Sequence, residues 1–350
     1  MSGNLVIAGE TIAPGQRMRV NLHVARLYDF TEMNVPIEVV RGKKDAPRMF
    51  VCAAIHGDEI NGVDIIRRLL RHKALDKIKG TLIAVPIVNV FGFNTKSRYL
   101  PDGRDLNRYF PGSPDGSLTA QLAHIFTTEI LEKCTHGIDL HTAGFSRANL
   151  PQIRANLADP VVLEMAHAFK VPVLINANFV DGSLREAADA RGIPLVLFEG
   201  GEALKFNEQV IRHGLQGVLS VMRDIGMLPR TVKKVKADKS GEAKETVFVA
   251  RSRHWVRAPH SGILHAETHL GARVKKNQLL GTVSDPFGGD VFDIRARKTG
   301  IVVGMATLPL VNAGDAAFHI ATFEDAGAVE ERVDAFEGTV MNDKADRFLG

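Results

Sequence analysis

The chain has 350 residues, of which 45% are hydrophobic and 24% are charged, and its formal net charge is +4. A chain of this length can bury a large core and is typical of two domains. The small net charge gives little support to nucleic-acid binding, and no apolar run reaches the roughly 18 residues of a membrane span, so we expect neither partner.

The amino-terminal stretch lacks the basic segment and the apolar run of a secretory signal peptide. The two cysteines, Cys52 and Cys134, lie in an apolar run and near a predicted helix end. This placement is typical of buried thiols in a reducing compartment. The sequence therefore predicts a cytoplasmic protein.

Residues 1–48 predict short strands and turns. The next stretch, 49–55, is a continuous apolar run of strand length, which is typical of a strand buried on both faces. From Ile60 to Leu70, apolar residues recur at helical spacing, which predicts an amphipathic helix.

Strands and helices continue to alternate up to residue 228. Further strands are predicted at 82–90, 137–143, 171–175 and 193–198, and further helices at 117–133, 161–169 and 206–227. This alternation predicts an α/β fold with a doubly wound, mostly parallel sheet. The polar segment 98–112 is a long loop, and loops of this length inside a compact domain usually carry function.

The carboxyl-terminal part differs in composition. Residues 247–325 are β-rich and repetitive, since 256–263 is echoed by 294–301. Two such copies would close a small barrel that resembles the biotinyl/lipoyl-carrier fold. The connecting hairpin, 285–290, contains no lysine, so we do not expect carrier chemistry.

The composition predicts four segments along the chain. They are a hydrolase domain at 1–230, a Lys-rich linker at 231–246, the all-β barrel at 247–325 and a polar tail at 326–350.

Metal-type side chains follow the apolar strands. His56 and Glu59 come directly after the strand at 49–55, and ligands of open α/β sheets bind beyond the carboxyl ends of the strands. An imidazole and a carboxylate three residues apart across a glycine turn can converge on one metal ion. Alternatively, His56 is a turn histidine that bonds to the backbone.

His141 and Glu199 are predicted at the ends of two other strands. Two histidines and one carboxylate leave one position of a zinc ion open, which is the pattern of catalytic zinc. Asp139 shares a strand face with His141 and could fix the tautomer of that imidazole. Alternatively, Asp139 is a surface aspartate on a strand.

Four motifs occur in order over residues 45–230. They are His-Gly-Asp-Glu at 56–59, Asp-Leu-Asn-Arg-Tyr-Phe-Pro-Gly at 105–112, Asp-Leu-His at 139–141 and Phe-Glu at 198–199. Together they resemble the succinylglutamate desuccinylase/aspartoacylase family of the zinc carboxypeptidase superfamily. Within it, the chain resembles the bacterial deacylase branch that includes N-acetyl-diaminobutyrate deacetylases.

The resemblance implies one zinc ion per chain, bound by His56, Glu59 and His141. It also implies that Glu199 is the general base and acid.

For the substrate, the resemblance implies that Asn107 and Arg108 hold a carboxylate. It further implies that Arg98 polarises the scissile carbonyl, a role for which Arg104 is the competitor. Other interpretations remain, because Arg104 and Arg108 could pair with Asp102 and Asp105 to stiffen the loop. Glu199 could likewise be a carboxylate at a helix N-terminus.

We therefore expect a zinc-dependent amidohydrolase that removes the acyl group from a small, carboxylated N-acyl amino acid. We also expect a homo-oligomer. The alternatives are a carboxypeptidase-like peptidase and a non-catalytic, metal-dependent binding protein.

Overall fold

The computed structural model describes residues 5–230 and 248–342. Up to residue 230, five strands come first, and helices and strands then follow in mixed order. The strands are β1 (Leu5–Ile7), β2 (Glu10–Ile12), β3 (Arg17–Arg26), β4 (Glu32–Arg41), β5 (Arg48–Ala53), β6 (Thr81–Val85), β7 (His136–Ala143), β8 (Arg147–Ala155), β9 (Val173–Asn176) and β10 (Leu195–Glu202). The helices are α1 (Asn61–Leu70), α2 (Val90–Thr95), α3 (Leu118–Glu129), α4 (Pro160–Phe169), α5 (Leu184–Asp189) and α6 (Glu208–Asp224).

From residue 248 onward, strands dominate and one helix follows them. The elements are β11 (Phe248–Ala250), β12 (Ser252–Arg257), β13 (Gly262–Ala266), β14 (Arg273–Val274), β15 (Leu279–Ser284), β16 (Val291–Arg295), β17 (Gly300–Ala306), β18 (Leu310–Val311), β19 (Ala316–Thr322) and α7 (Ala326–Asn342).

Within the described residues, thirteen strands form one sheet. Its centre, in the order β6-β5-β7-β10, is parallel, as helical crossovers between strands require. Antiparallel strands flank this centre, with β4 and β3 on one side and β8 on the other. The predicted α/β fold with a mostly parallel central sheet is confirmed.

Helices cover both faces of the sheet. As a result, successive residues of β5 pack into two different hydrophobic cores. Phe50 packs on one face and its ring meets that of Phe126 in α3 edge-on, with ring centroids 5.8 Å apart. Val51 packs on the other face, in the core that includes Ile65 of α1 and Val218 of α6. A strand buried on both faces needs the unbroken apolar run seen in the sequence.

Some of the carboxyl-terminal strands join the large sheet, and others form a sheet of their own. β17 pairs with β8, and β19 and β12 extend the large sheet beyond it. Four strands, in the order β16-β15-β13-β18, form a second sheet. The likeness of this part to a biotinyl/lipoyl domain, and the division into domains at residues 230 and 247, stay predictions.

Two segments complete the comparison with the sequence. The Lys-rich linker lies outside the described residues. The segment read as a polar tail begins with α7, in which Val329 and Val333 are buried and Phe336 stacks on His213 of α6 with ring centroids 3.5 Å apart. Although this segment is mostly polar, α7 has a narrow apolar face that packs against the rest of the protein.

Cys52 and Cys134 are buried free thiols, as predicted. Among the described residues, no helix combines the length and the apolar character needed to cross a bilayer.

Candidate active site

The turn after β5 carries His56 and Glu59 at the carboxyl edge of the sheet. The backbone here passes so close to α2 that a Cβ atom on Gly57 would lie 2.0 Å from the carbonyl carbon of Gly92. Only glycine fits this approach, so the turn is fixed against α2. The amide of Glu59 donates to the carbonyl of His56 at 3.1 Å, which keeps the turn tight.

His141 lies on β7, the parallel neighbour of β5, so it reaches the same edge of the sheet. The carboxylate of Glu59 joins the two histidines: Oε1 is 2.7 Å from Nδ1 of His56, and Oε2 is 2.9 Å from Nδ1 of His141. All three side chains are buried, and one ligand atom from each lies within 4.8 Å of the others. This group could hold a metal ion.

The far nitrogen of each imidazole contacts a second carboxylate. Nε2 of His56 is 3.1 Å from Asp105, and Nε2 of His141 is 2.8 Å from Asp139. Histidine ligands of metals almost always donate their other ring N–H to such a partner, which fixes the tautomer. With the protons on Nε2, both Nδ1 atoms present lone pairs toward Glu59. The donor set and its surroundings therefore fit a metal ion.

The electrostatics around His56, Glu59 and His141 also favour a bound cation. Burial opposes the charged form of His141, but the carboxylates of Asp139 and Glu59 outweigh it and raise the pKa of that imidazole well above its usual range. Burial would likewise raise the pKa of Glu59, but His56 and His141 hold the pKa of that carboxyl well below its ordinary value. Two buried carboxylates and the partly buried Asp105 around two imidazoles suit a divalent metal ion.

A cavity of about 260 Å³ opens beside this group. It is lined by the three candidate ligands and by Glu199, and several arginines face it. The lining residues include His56, Glu59, His141, Glu199, Arg98, Asn107, Arg108, Arg147, Asn149, Arg154, Arg185 and Trp255. The structure thus brings together the residues that the sequence singled out, except Asp139, which lies behind His141, and Arg104, which lies at the loop surface. Their individual roles stay predictions.

Glu199 lies on β10 next to His141 on β7, in register across the parallel pair. Its carboxylate accepts a hydrogen bond from Nδ2 of Asn149 at 2.7 Å and forms an ion pair with Nη1 of Arg154 at 3.1 Å. It belongs to a strand, so the alternative reading as a carboxylate at a helix N-terminus does not describe it.

Arg98 contacts the metal-type group, whereas Arg104 does not. Arg98 donates to Glu59 at 3.2 Å and to Asp105 at 2.9 Å. Arg104 is exposed at the loop surface, where it pairs with Asp102 at 3.3 Å. Of the two candidates for a role at the scissile carbonyl, only Arg98 lines the cavity.

Asn107 and Arg108 lie in a short turn of 3₁₀ helix, Leu106–Arg108. Oδ1 of Asn107 accepts from the amide of Leu184 at 2.9 Å, and Nη1 of Arg108 donates to the carbonyl of Asn107 at 2.6 Å. Arg108 has no carboxylate partner among the described residues, since Asp105 pairs with Arg98 instead. Its guanidinium is therefore available to an anion in the cavity.

Sequence reasoning missed several residues of the site. Asp105 is the first residue of the motif at 105–112, but its contact with His56 joins two loops that are distant in the sequence. No local sequence pattern predicts such a contact. Asn149 and Arg154 lie on β8, a strand that holds a proline at 151 and was not predicted. Trp255 comes from the carboxyl-terminal strands and reaches the cavity only through the fold.

The chain is similar in sequence to known proteins. The sequence model of the succinylglutamate desuccinylase/aspartoacylase catalytic domain matches residues 45–225. A curated relative, N-alpha-acetyl-L-2,4-diaminobutyric acid deacetylase of Halomonas elongata, is 25% identical over 297 residues, which cover 82% of this chain and 85% of that protein.

Two solved structures share the fold. A succinylglutamate desuccinylase/aspartoacylase from Rhodobacter sphaeroides superposes with a TM-score of 0.77 at 27% identity, covering 88% of this chain and 96% of that one. The product-bound ectoine utilization protein EutE (DoeB) from Ruegeria pomeroyi gives 0.77 at 24% identity, covering 87% and 95%.

Proposed function

Because this chain belongs to the succinylglutamate desuccinylase/aspartoacylase family, we propose that it is a zinc-dependent hydrolase that removes the acyl group from a small, carboxylated N-acyl amino acid. The observation that carries this proposal is the group formed by His56, Glu59 and His141, which shares one cavity with Glu199. Membership in the family supports the class of reaction, and the curated deacetylase supports the kind of substrate.

His56, Glu59 and His141 would hold the zinc ion. Two imidazoles and one carboxylate are the donors of catalytic zinc sites, which leave one position open. When bound, zinc supplies Lewis-acid chemistry, since it lowers the pKa of water to about 7 and polarises a carbonyl. Asp105 and Asp139 keep both imidazoles in the tautomer that this role needs.

Glu199 moves the proton. Its carboxylate accepts a proton from the water molecule that attacks the acyl carbon, and it returns this proton to the nitrogen of the leaving amine as the C–N bond breaks. General acid–base catalysis of this kind contributes typically 10² to 10⁴-fold to a rate. One carboxylate serves both steps, so no further titratable group is required.

Two arginines of the cavity, Arg98 and Arg108, orient the substrate. Arg98 directs its guanidinium toward the acyl oxygen, where negative charge develops during the attack. Arg108 and Asn107 hold the substrate carboxylate, and a planar guanidinium allows bidentate recognition that lysine cannot copy. Free acids should therefore react faster than their esters or amides.

The size of the cavity favours this reading over a peptidase. A volume of about 260 Å³ is just below the range of about 300–1,000 Å³ that is typical of small-molecule sites. Trp255 from the carboxyl-terminal strands forms part of its wall. A long peptide would have to displace this wall, whereas an N-acyl amino acid would not.

The test is a substrate panel with the zinc-loaded enzyme. It contains N-acetyl-diaminobutyrate, N-succinylglutamate, N-acetylaspartate and a dipeptide with a free carboxyl terminus. We expect hydrolysis of at least one N-acyl amino acid, loss of the activity with a chelator and its return with zinc. Preferred cleavage of the dipeptide would indicate a peptidase, and zinc binding without any turnover would indicate a binding protein.

A His141→Ala variant tests the metal separately. It should lose the bound zinc, as measured by elemental analysis of the purified protein. Full zinc content in this variant would place the ion on other ligands.

A further inference from the structure

The proposed base, Glu199, is held at both carboxylate oxygens by side chains of one neighbouring strand. Asn149 donates through Nδ2 to Oε2 at 2.7 Å, and Arg154 pairs through Nη1 with Oε1 at 3.1 Å. We propose that Asn149 and Arg154 are positioning residues that orient the Glu199 carboxylate for proton transfer, and that strand β17 keeps Asn149 in place. This inference rests on the proposed function.

A register shift in the pairing of β8 with β10 places Asn149 and Arg154 on the same side of the sheet. β8 runs antiparallel to β10, with Arg154 opposite Leu197 and Gln152 opposite Glu199, but Asn149 is opposite Gly201. In a regular ladder, residue 150 would take that place, so the register shifts by one residue. Because alternate residues of a strand face opposite sides, the shift turns Asn149 to the side on which Arg154 lies.

The two contacts restrict how Glu199 can point. A glutamate side chain has several rotatable bonds, and a general base must lie within hydrogen-bond reach of the proton that it takes. A hydrogen bond to Oε2 and an ion pair at Oε1 together restrict both the direction and the tilt of the carboxylate. Since misplacement by about 1 Å can cost about 100-fold in rate, loss of either contact should slow catalysis.

The guanidinium of Arg154 depends on Glu199 for its charge pairing. Its Nε is buried and has no hydrogen-bond partner among the described residues. Leaving a buried charged donor unsatisfied costs stability. Glu199 is its ion-pair partner in this part of the chain, so the pairing with that one carboxylate offsets the cost.

The carboxyl-terminal strands reach the site through Asn149. β17 pairs with β8 so that Gly304 lies opposite Asn149. A Cβ atom on Gly304 would lie 2.8 Å from Oδ1 of Asn149, which is closer than real Cβ contacts allow. The end of a side chain moves more easily than a strand, so any side chain at 304 would push the Asn149 amide away from its place beside Glu199.

A double-mutant cycle tests the inference, with the N-acyl amino acid that the enzyme hydrolyses best. Asn149→Ala and Arg154→Gln should each lower kcat by about 10- to 100-fold, with KM and zinc content unchanged. In a Glu199→Gln background, followed at high enzyme concentration, the same changes should lower kcat by less than about threefold, because residues that act as a unit are not additive. Equal losses in both backgrounds would overturn the inference and make the two residues structural.

Gly304→Ala tests the link to β17 without touching the cavity. It should lower kcat of the otherwise wild-type enzyme. In the Glu199→Gln background it should lower kcat by less than about threefold, as Asn149→Ala does. Gly289→Ala, in the exposed turn between β15 and β16, is the matched control and should match the wild type. Wild-type kcat for Gly304→Ala would overturn the part assigned to β17. If the wild-type enzyme hydrolyses no N-acyl amino acid, the proposed function itself fails, which is a separate result.

Discussion

At the scale of single residues, each histidine of the candidate metal group has two partners with different tasks. Nδ1 of His56 and of His141 faces Glu59, whereas Nε2 of each ring faces an aspartate. The aspartates decide which nitrogen carries the proton and how the ring is turned. The outer carboxylates should therefore matter for metal binding although they do not face the ion.

Asp105→Asn tests this division of tasks. The amide keeps the shape but loses the charge that fixes His56, so zinc affinity should fall by about 10- to 100-fold. The measurement is competition with a chromogenic chelator. Asp102→Asn is the matched control, because Asp102 lies in the same loop and bonds to Thr119 and Arg104 instead. Equal zinc affinity of Asp105→Asn and the wild type would contradict the role.

Arg108→Ala tests substrate recognition. Removal of the guanidinium should raise KM for a carboxylated substrate by about tenfold or more, since a charge-assisted bidentate pair is lost. KM for the corresponding substrate amide, which lacks the charge, should hardly change. An unchanged KM for the free acid would show that Arg108 stiffens the loop and does not bind substrate.

The sequence predicted the residues that lie close to one another along the chain in short motifs. His56 with Glu59, and Asp139 with His141, are of this kind, because one turn or one strand face brings each pair together. Asp105 and Asn149 approach His56 and Glu199 across 49 and 50 residues. No local pattern encodes such contacts, so they emerge only when the strands and loops are assembled.

At the scale of elements, the turn after β5 joins fold and site. Gly57 has no room for a side chain because the start of α2 lies against it. The turn therefore orients His56 and Glu59 together, and its position depends on α2. The long apolar run of β5 was readable because a strand buried on both faces leaves a simple pattern.

Gly57→Ala should weaken zinc binding and stability together. The added methyl would meet backbone atoms, which cannot step aside cheaply, so overpacking should cost about 1–3 kcal/mol. Gly217→Ala in α6 is the control, because its Cβ would lie 2.1 Å from the ring of Phe169, away from the site. Both variants should unfold at lower urea concentration, but only Gly57→Ala should lose zinc affinity. Normal affinity in Gly57→Ala would show that the turn tolerates the displacement.

The pairing of strands from distant parts of the chain could not be predicted at this scale. The sequence reveals that residues 247–325 form strands, but it does not show which edge they join. β17 extends the large sheet at residues 147–149 of β8, because β9 pairs only with residues 152–155 along that edge. Such choices depend on open sheet edges and not on local composition.

At the scale of the whole molecule, the carboxyl-terminal strands form one wall of the cavity. Trp255 of β12 lines the cavity and stacks on His319 of β19, with ring centroids 4.6 Å apart. Arg147 lies over the same indole at 5.5 Å. The buried imidazole of His319 thus supports a wall of the site, and burial favours its neutral form by lowering its pKa.

Stability should fall in acid because of His319. Burial, reinforced by the charges of Arg154 and Arg253 and by His254, lowers the pKa of His319 to about 3, against about 6.5 for an unfolded chain. A lowered histidine pKa means that the unfolded state takes up the proton first. Its stabilising contribution is therefore complete above pH 6.5 and is lost as the pH falls from there toward 3, by about 2 kcal/mol at pH 5.

His319→Phe isolates this contribution, because a phenyl ring can keep the stack on Trp255 but cannot take up a proton. The measurement is the free energy of unfolding in urea at pH 7 and pH 5 for both proteins. Between pH 7 and pH 5, the free energy of unfolding of the wild type should fall by about 2 kcal/mol more than that of His319→Phe. The other titrating groups are the same in both proteins, so their effects cancel in this comparison. His265→Gln, at an exposed position on β13, should follow the wild type at both pH values. If His319→Phe loses as much stability in acid as the wild type, the wall of the cavity does not depend on a neutral His319.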